Sequence, residues 1–301
     1  MGGAGTVAIV IPTLNEEDSI AAVVRALPRD IVARVIVADG GSRDATAERA
    51  RAAGADVVAP GRGYGRACLA GAWAAGDADI LVFMDGDGQH SPADVARLLE
   101  LLPEYDMVVG ARSVSGQASL GRAIGNKIYN WLGSYVTQFP IHDLTSGFRA
   151  MKADIAHGFL YLLPNTYSYP TTLTLSVLRT GRSLKYIPIQ AGSRKRGTSG
   201  IKLFRDGVRF FMIIIRICTL YSPMRVFLPV SVFMVLLGIF NYALTYFTQG
   251  RFTNMSALLL TNGVLIFMMS LISEQISQMR FERRQRRVAL KKFEEDSRSS
   301  E

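Results

Sequence analysis

Two uncharged apolar stretches near the C-terminus limit what this chain can fold into more than any other feature. No Asp, Glu, Lys or Arg occurs between Val226 and Phe247, and none occurs between Phe252 and Ser273. Each stretch is about 22 residues, or roughly 33 Å of helix at 1.5 Å per residue, enough to cross the hydrocarbon core of a bilayer. Pro229 lies near the start of the first, where a proline is tolerated. Two helices this apolar need either lipid or a large protein core around them, and only a short loop, about 248–254, joins them. The expectation is a two-helix transmembrane hairpin over 223–279, with spans of about 226–247 and 252–273.

Charge supplies the orientation. The formal net charge is +9, and it is unevenly placed. The hairpin loop carries only Arg251. Arg194, Lys195, Arg196, Lys202, Arg205 and Arg209 precede the hairpin, and Arg280, Arg283, Arg284, Arg286, Arg287, Lys291 and Lys292 follow it. The positive-inside rule puts both flanks in the cytoplasm, the N-terminal region and a basic tail over 280–301 alike. Because the cations flank membrane segments, their expected partner is an anionic leaflet and not nucleic acid. Within 201–222, Lys202, Arg205, Asp206, Arg209 and Arg216 fall on one helical face about 100° wide, with large apolar residues around the rest. That pattern predicts an interfacial amphipathic helix, which would hold the preceding domain at the height of lipid phosphates. No basic stretch followed by an apolar run opens the chain, so no signal peptide is expected. Cys68 and Cys218 are far apart in a chain expected to face a reducing cytosol, so no disulfide is expected.

The first 110 residues alternate strand and helix. Apolar, β-branched runs at 6–11, 35–38, 56–58, 80–83 and 107–110 predict strands. Helices are expected over 19–26 with Asp18 or Ser19 as cap, up to residue 53, after the 61–67 loop to residue 75, and from Ser91-Pro92 with serine as cap. Short connections between these elements imply a mostly parallel sheet covered by helices. That is an α/β domain over 1–200.

Each strand ends in a chemically distinctive turn. The fourth leads into Asp85-Gly86-Asp87-Gly88-Gln89, two carboxylates and an amide where ligands of open α/β sheets collect. Hard oxygen ligands suit Mg²⁺ or Mn²⁺, whose usual companion is a substrate phosphate. The competing reading is a tight turn with solvated carboxylates. His90 is placed as a structural residue beside the start of a helix. The first strand ends at Pro12-x-x-Asn15-Glu16 and the second at Asp39-Gly-Gly-Ser-Arg-Asp44, where Ser42 and Asp44 are equally suited to capping the next helix. The loop Gly61-Arg62-Gly63-Tyr64-Gly65-Arg66-Ala67 has glycines for close backbone approach and arginines for phosphate, without the spacing of a dinucleotide fingerprint.

These motifs in this order resemble family 2 glycosyltransferases of the GT-A fold. Asp143-Leu-Thr-Ser146-Gly147-Phe148-Arg149 and Arg194-x-x-Gly197-x-Ser199 are similar to motifs of the branch that makes polyprenyl-phosphate sugars, of which dolichyl-phosphate mannose synthase is the best-known member. The resemblance covers about residues 6–210. It implies inverting transfer of a sugar from a nucleotide-sugar donor (GDP- or UDP-linked) to a polyprenyl phosphate such as dolichyl or undecaprenyl phosphate. It further implies that Pro12, Asn15, Glu16 and Asp39 hold the nucleoside and that the loop with Arg62 closes over the nucleotide. Asp85, Asp87 and Gln89 would hold donor and Mg²⁺ or Mn²⁺, and Arg194 and Ser199 would cover the diphosphate.

Among the basic residues Arg112, Arg122 and Lys127, with Asn126 beside them, Arg122, Asn126 and Lys127 are the candidates for the acceptor phosphate. With Asp87, Asp143 and Arg149 complete the catalytic candidates. Asp143 either positions acceptor or sugar or acts as a base, and a phosphate acceptor, ionised at neutral pH, needs no strong base. Arg149 either binds phosphate or pairs with Asp143. The Asp-Gly-Asp sequence differs from the Asp-Ala-Asp form frequent in mannose synthases, which leaves the sugar open. A processive synthase of the same superfamily is the nearest alternative, but its Gln-x-x-Arg-Trp motif is absent. A non-catalytic nucleotide-sugar-binding protein is the other.

Overall fold

The computed structural model describes residues 5–112, 120–160, 169–190 and 222–299, with backbone alone for 120–126, 160 and 280–299. Arg194, Ser199, Cys218, the expected interfacial helix up to residue 221, and the side chains of Arg122, Asn126 and the basic tail therefore lie outside the described residues. The backbone divides into two compact units, Met1–Lys202 and Leu203–Glu301.

In the first unit, strands β1 (Val7–Thr13), β2 (Arg34–Asp39), β3 (Asp56–Val58), β4 (Ile80–Phe83) and β5 (Met107–Arg112) alternate with helices α1 (Ile20–Arg25), α2 (Thr46–Ala52), α3 (Tyr64–Ala74) and α4 (Asp94–Leu99). Then come α5 (Leu120–Thr137), β6 (Arg149–Lys152), α6 (Ala153–Leu160), α7 (Tyr169–Arg179) and β7 (Leu184–Ile189). The seven strands lie in the order β3-β2-β1-β4-β6-β5-β7. All pairs are parallel except those of β6, which runs antiparallel to both β4 and β5. β6 is entered from the 143–148 segment at the carboxyl end of β5, so it must run back down the sheet.

Both faces of this sheet are covered. Along β1, Val7, Ile9 and Ile11 join one apolar cluster with Val23, Val24 and Leu98, while Ala8 and Val10 join the other with Cys68, Ala72 and Leu173. The strand's alternation thus feeds two cores, which is why it reads as an unbroken apolar run. Gly71 lets α3 lie close on the sheet; a Cβ there would sit 2.3 Å from Cγ1 of Val10.

Three helix starts differ from expectation. Ser91 and Pro92 form a turn, closed by the Asp94 N–H donating to the Ser91 carbonyl at 3.0 Å, and α4 begins at Asp94. Ser19 stands at the start of α1 but makes no cap; its hydroxyl donates instead to the Gly86 carbonyl at 2.7 Å. The glycine loop is shorter than expected, because Gly63 turns the chain at φ 128° and Tyr64 already begins α3. Cys68 is a free, buried thiol.

The second unit is built on α8 (Pro223–Gln249) and α9 (Asn254–Ser299). Pro223–Gln249 and Asn254–Met279 are each long and apolar enough to cross a membrane, and few of their residues are buried. Gly250, in the left-handed conformation at φ 65°, ends α8. The two helices pack through small residues. A Cβ on Gly263 would lie 2.5 Å from Cγ2 of Val235, and one on Gly238 would lie 2.9 Å from Cγ of Leu260. Ser231 Oγ donates to the Gly263 carbonyl at 2.7 Å, and the Met224 N–H at the start of α8 donates to Glu274 Oε2 at 3.2 Å.

Candidate active site

The carboxyl ends of β1, β2, β4 and β5 open onto one cleft of about 620 Å³. Of the residues expected to act together, Pro12, Glu16, Arg62, Asp85, Asp87 and Gln89 all line it. Tyr64 and Arg112, which were not expected to, line it as well.

The loops after β1 and β2 are laced to each other. The Asn15 N–H donates to Ser42 Oγ at 2.9 Å, Ser42 donates to Asp39, and the Arg43 N–H donates to Asn15 Oδ1 at 2.9 Å. Asn15 adopts φ 56°, a left-handed conformation that asparagine tolerates better than most residues. The Glu16 N–H donates to Thr46 Oγ1 at 2.9 Å, and Asp44 accepts from the Thr46 N–H at the first residue of α2. Asp44 thus holds the helix start, whereas Ser42 serves Asp39. Asn15 and Asp39 are engaged in shaping these loops, and Pro12, Glu16 and Gly40 form the wall of the cleft here.

Asp85 is held from two sides. Tyr64 Oη donates to its Oδ1, and His90 Nε2 lies 3.4 Å from its Oδ2. Burial pushes the Asp85 carboxyl up, but His90, Tyr64 and the Arg112 guanidinium outweigh it and leave the group below the usual carboxylate range. His90 is buried and its ring stacks on Phe148 at 5.1 Å. Tyr64 stacks on Tyr169 at 4.8 Å. Both Asp85 partners are therefore fixed by aromatic packing. Asp87 is partly exposed to the cleft and accepts the Gln89 N–H at 3.1 Å.

No three His, Cys, Asp or Glu side chains gather as a metal cluster among the described residues. The donor set in the cleft is two carboxylates and one amide oxygen, all hard. Mg²⁺ keeps several waters and binds through one or two carboxylates plus substrate phosphates, so the set fits such an ion shared with a diphosphate. It does not fit a metal caged wholly by protein.

The 143–149 motif forms the opposite wall. Arg112 Nε and Nη2 donate to Oδ2 and Oδ1 of Asp143 at 2.8 and 3.1 Å, and Thr145 adds N–H and hydroxyl donors at 3.0 Å each. Burial raises the Asp143 carboxyl, but the fork of Arg112 and the Thr145 donors overcome it and hold the group low. Burial lowers Arg112, and Asp143, then Asp85 and Asp87, more than restore its charge. Ser146 Oγ donates to the Gly110 carbonyl at 2.6 Å.

Arg149 corrects the expected pairing. It is fully buried and donates to the Pro170 carbonyl at 2.9 Å, to Thr174 Oγ1 at 3.1 Å and to the Ser146 carbonyl. It meets Asp143 nowhere and faces the floor of the motif, not the cleft. The antiparallel register puts Arg149 opposite Phe83, beneath the Asp-x-Asp turn, and the pairing with Asp143 falls to Arg112 at the end of β5. The signal for Arg112 was its position just past the expected strand end; the strand in fact runs on to it. Lys127 is exposed on α5.

Comparison with known proteins points the same way. Residues 8–159 match the model of glycosyl transferase family 2, and residues 222–279 match the GtrB C-terminal hairpin. Glycosyltransferase AglJ of Haloferax volcanii is 30% identical over 229 residues, 73% of this chain and 75% of that protein. The dolichyl-phosphate hexose transferase of the same organism is 31% identical, covering 70% of this chain and 93% of its own length. An undecaprenyl-phosphate mannosyltransferase of Micrococcus luteus is 31% identical over 63% of this chain and 85% of that one. Among solved structures, glucosyl-3-phosphoglycerate synthase from Mycobacterium tuberculosis in complex with Mn²⁺ and UDP-glucose superposes with a TM-score of 0.54 at 26% identity, over 71% of this chain and 78% of that one.

Proposed function

This chain belongs to glycosyl transferase family 2, and from that premise we propose that it moves a sugar from a GDP- or UDP-sugar to a polyprenyl phosphate at the cytoplasmic face of a membrane. The observation that carries the proposal is the convergence of Asp85, Asp87, Gln89, Arg62 and Arg112 on one cleft. Two carboxylates with two guanidinium groups is a charge set suited to a diphosphate, its ion and a second phosphate. The names of the relatives support a polyprenyl or dolichyl phosphate acceptor, and the matched hairpin supports attachment to a membrane.

In this reading Pro12, Glu16 and Gly40 bound the nucleoside end of the cleft, and Asn15 and Asp39 act on it through the loops they hold. Arg62 meets the diphosphate, and Arg194 and Ser199 cover it. Asp87 and Gln89, with Asp85 beside them, would hold Mg²⁺ or Mn²⁺, which when bound neutralises charge developing on the leaving diphosphate. The acceptor phosphate oxygen attacks the anomeric carbon as the bond from that carbon to the diphosphate breaks, inverting the centre. No proton need be removed, because the acceptor is already an anion. The low Asp143 carboxyl, locked by Arg112, supports a positioning role over a base. Arg112 is thereby presented to the cleft as a fixed cation for the acceptor, assisted by Arg122, Asn126 and Lys127. Arg149 supports the motif from below.

The test is a donor screen on the full chain in detergent, with polyprenyl phosphate, Mg²⁺ or Mn²⁺ and a panel of GDP- and UDP-sugars. Nucleotide release from one donor, dependent on the lipid and abolished by Asp87→Ala, is expected. Substantial turnover by Asp87→Ala would sink the metal assignment, and nucleotide binding with no release from any donor would favour a binding protein.

A further inference from the structure

Helix α5 presents large apolar side chains outward. Ile128, Trp131 and Tyr135 are 54%, 65% and 38% exposed. They recur at three- and four-residue intervals and so share one face, with exposed Lys127 at its edge. Tyr129, Gly133 and Val136 fill the opposite, buried face. Elsewhere in the described residues of this unit only Leu14, Ile31 and Trp73 are large, apolar and exposed, and each stands in a different element or loop. The apolar exposure of the domain is therefore concentrated on α5, where Trp131 stacks on Tyr135 at 6.0 Å.

We propose that this face of α5 lies in the headgroup region of a phospholipid bilayer. Three features favour lipid over a protein partner. Trp and Tyr beside an aliphatic residue and a lysine are the composition enriched where hydrocarbon meets headgroups. Lys127 has the sign that an anionic leaflet attracts. The chain also carries two helices long and apolar enough to cross a membrane, which keep a bilayer available to this surface.

The consequence for the site rests on the lipid-acceptor reading above. Asn130, on the buried side of the same helix, donates to the His142 carbonyl at 2.6 Å and accepts the Leu144 N–H at 3.0 Å. It therefore holds both neighbours of Asp143. Gly133 lets Ile141 and Leu144 pack close on α5, at 3.0 and 3.1 Å from where its Cβ would stand. A helix docked on lipid by its outer face thus grips the Asp143–Arg112 wall by its inner face. Docking would set the acceptor side of the cleft at the membrane surface.

The chain has only two tryptophans, Trp73 and Trp131, so the test can be spectroscopic. The full-length Trp73→Phe variant, whose sole tryptophan is Trp131, is reconstituted in phosphatidylcholine–phosphatidylglycerol vesicles with and without brominated acyl chains. Trp131 is expected to emit at shorter wavelength than in water and to lose most of its emission to the brominated lipid. Trp73, read alone in Trp131→Phe, should lose little. An unquenched Trp131, whether solvent-like or buried under protein, overturns the proposal, and so does equal quenching of the two. A paired Ile128→Ser, Trp131→Ser variant should raise KM several-fold for a long polyprenyl phosphate in vesicles, and leave turnover of a short water-soluble analogue unchanged. Quenching is read without any transfer assay, so failure of the docking and failure of the acceptor reading are told apart.

Discussion

A methyl group on Gly147 would stand 2.7 Å from Oδ2 of Asp85, closer than non-bonded atoms approach. The two motifs of the site therefore touch through a residue that has no side chain. Asp85 has little room to retreat, since Tyr64 and His90 hold its two oxygens. In Gly147→Ala the carboxylate must shift within a fold that is otherwise intact. We expect a melting temperature close to that of the parent and a loss of turnover of about 100-fold, the scale for a displacement of about 1 Å at a reacting centre. A variant that folds and turns over normally would show that the position of Asp85 is not critical.

The hydrogen bonds behind Asp85 give a second prediction. Tyr64→Phe deletes the phenol that donates to Oδ1 and keeps the stack on Tyr169. His90→Phe deletes the ring nitrogen near Oδ2 and keeps an aromatic ring against Phe148. Partners that orient a metal-side carboxylate are typically worth about 10- to 100-fold in metal affinity or activity. Each variant should therefore need about tenfold or more Mn²⁺ or Mg²⁺ for half-maximal rate. Because both act on one carboxylate, the double variant should lose less than the product of the two. Metal titration curves superimposable on the parent's would remove Asp85 from the ion's surroundings.

The strands up to residue 112 were legible because each is buried on both faces and reads as an apolar run bounded by turn residues. Asp85, Asp87 and Gln89 were legible because chemistry at a strand's carboxyl end needs only local sequence to recognise. β6 was not legible. Arg149-Ala-Met-Lys152 carries two cations in four residues, and it forms a strand only because β4 and β5 flank it and carbonyls of α7 and its own loop receive Arg149. The Arg112–Asp143 pair was hidden for the same reason: 31 residues separate the partners, and the antiparallel return of β6 brings them together. Tyr64 was read as part of a loop, and only its place in the first turn of α3 aims it at Asp85.

The hairpin yields a prediction independent of catalysis. At Gly263 an added Cβ meets not only Cγ2 of Val235 but also its backbone nitrogen at 3.2 Å and the Ser231 carbonyl at 3.3 Å. Backbone atoms cannot swing aside, so Gly263→Leu must part the helices and break the Ser231 hydrogen bond to the Gly263 carbonyl. Close approach at small residues is a main source of helix association in lipid. The variant should aggregate at lower temperature in detergent, while Val264→Leu, at an exposed neighbour, should not. Equal thermal stability of the two would mean that the helices do not pack in this register.

The Arg112–Asp143 pair predicts a pH dependence whose sign reverses in a variant. Burial raises the Asp143 carboxyl, but the two donors of Arg112 and those of Thr145 leave it below its unfolded value of about 3.9. A group depressed on folding stabilises the protein above its unfolded pKa, and that stability is lost as pH falls through the folded value. The parent should therefore owe no loss of stability to this group between pH 7 and 5. Arg112→Met removes the cation and roughly keeps the side-chain volume. Asp143, only 10% exposed, is then governed by burial, and its pKa rises above the unfolded value. The folded variant is penalised at pH 7, and the penalty fades on acidification as the carboxyl takes up its proton. Breaking a buried pair from one side costs about 3–5 kcal/mol, and the 31% exposure of the arginine argues for somewhat less, about 2–3 kcal/mol at pH 7. Melting temperatures of parent and variant between pH 7 and 4.5 should converge toward the acid end. A gap that stays constant over that range would mean that Asp143 is not held as a carboxylate by Arg112.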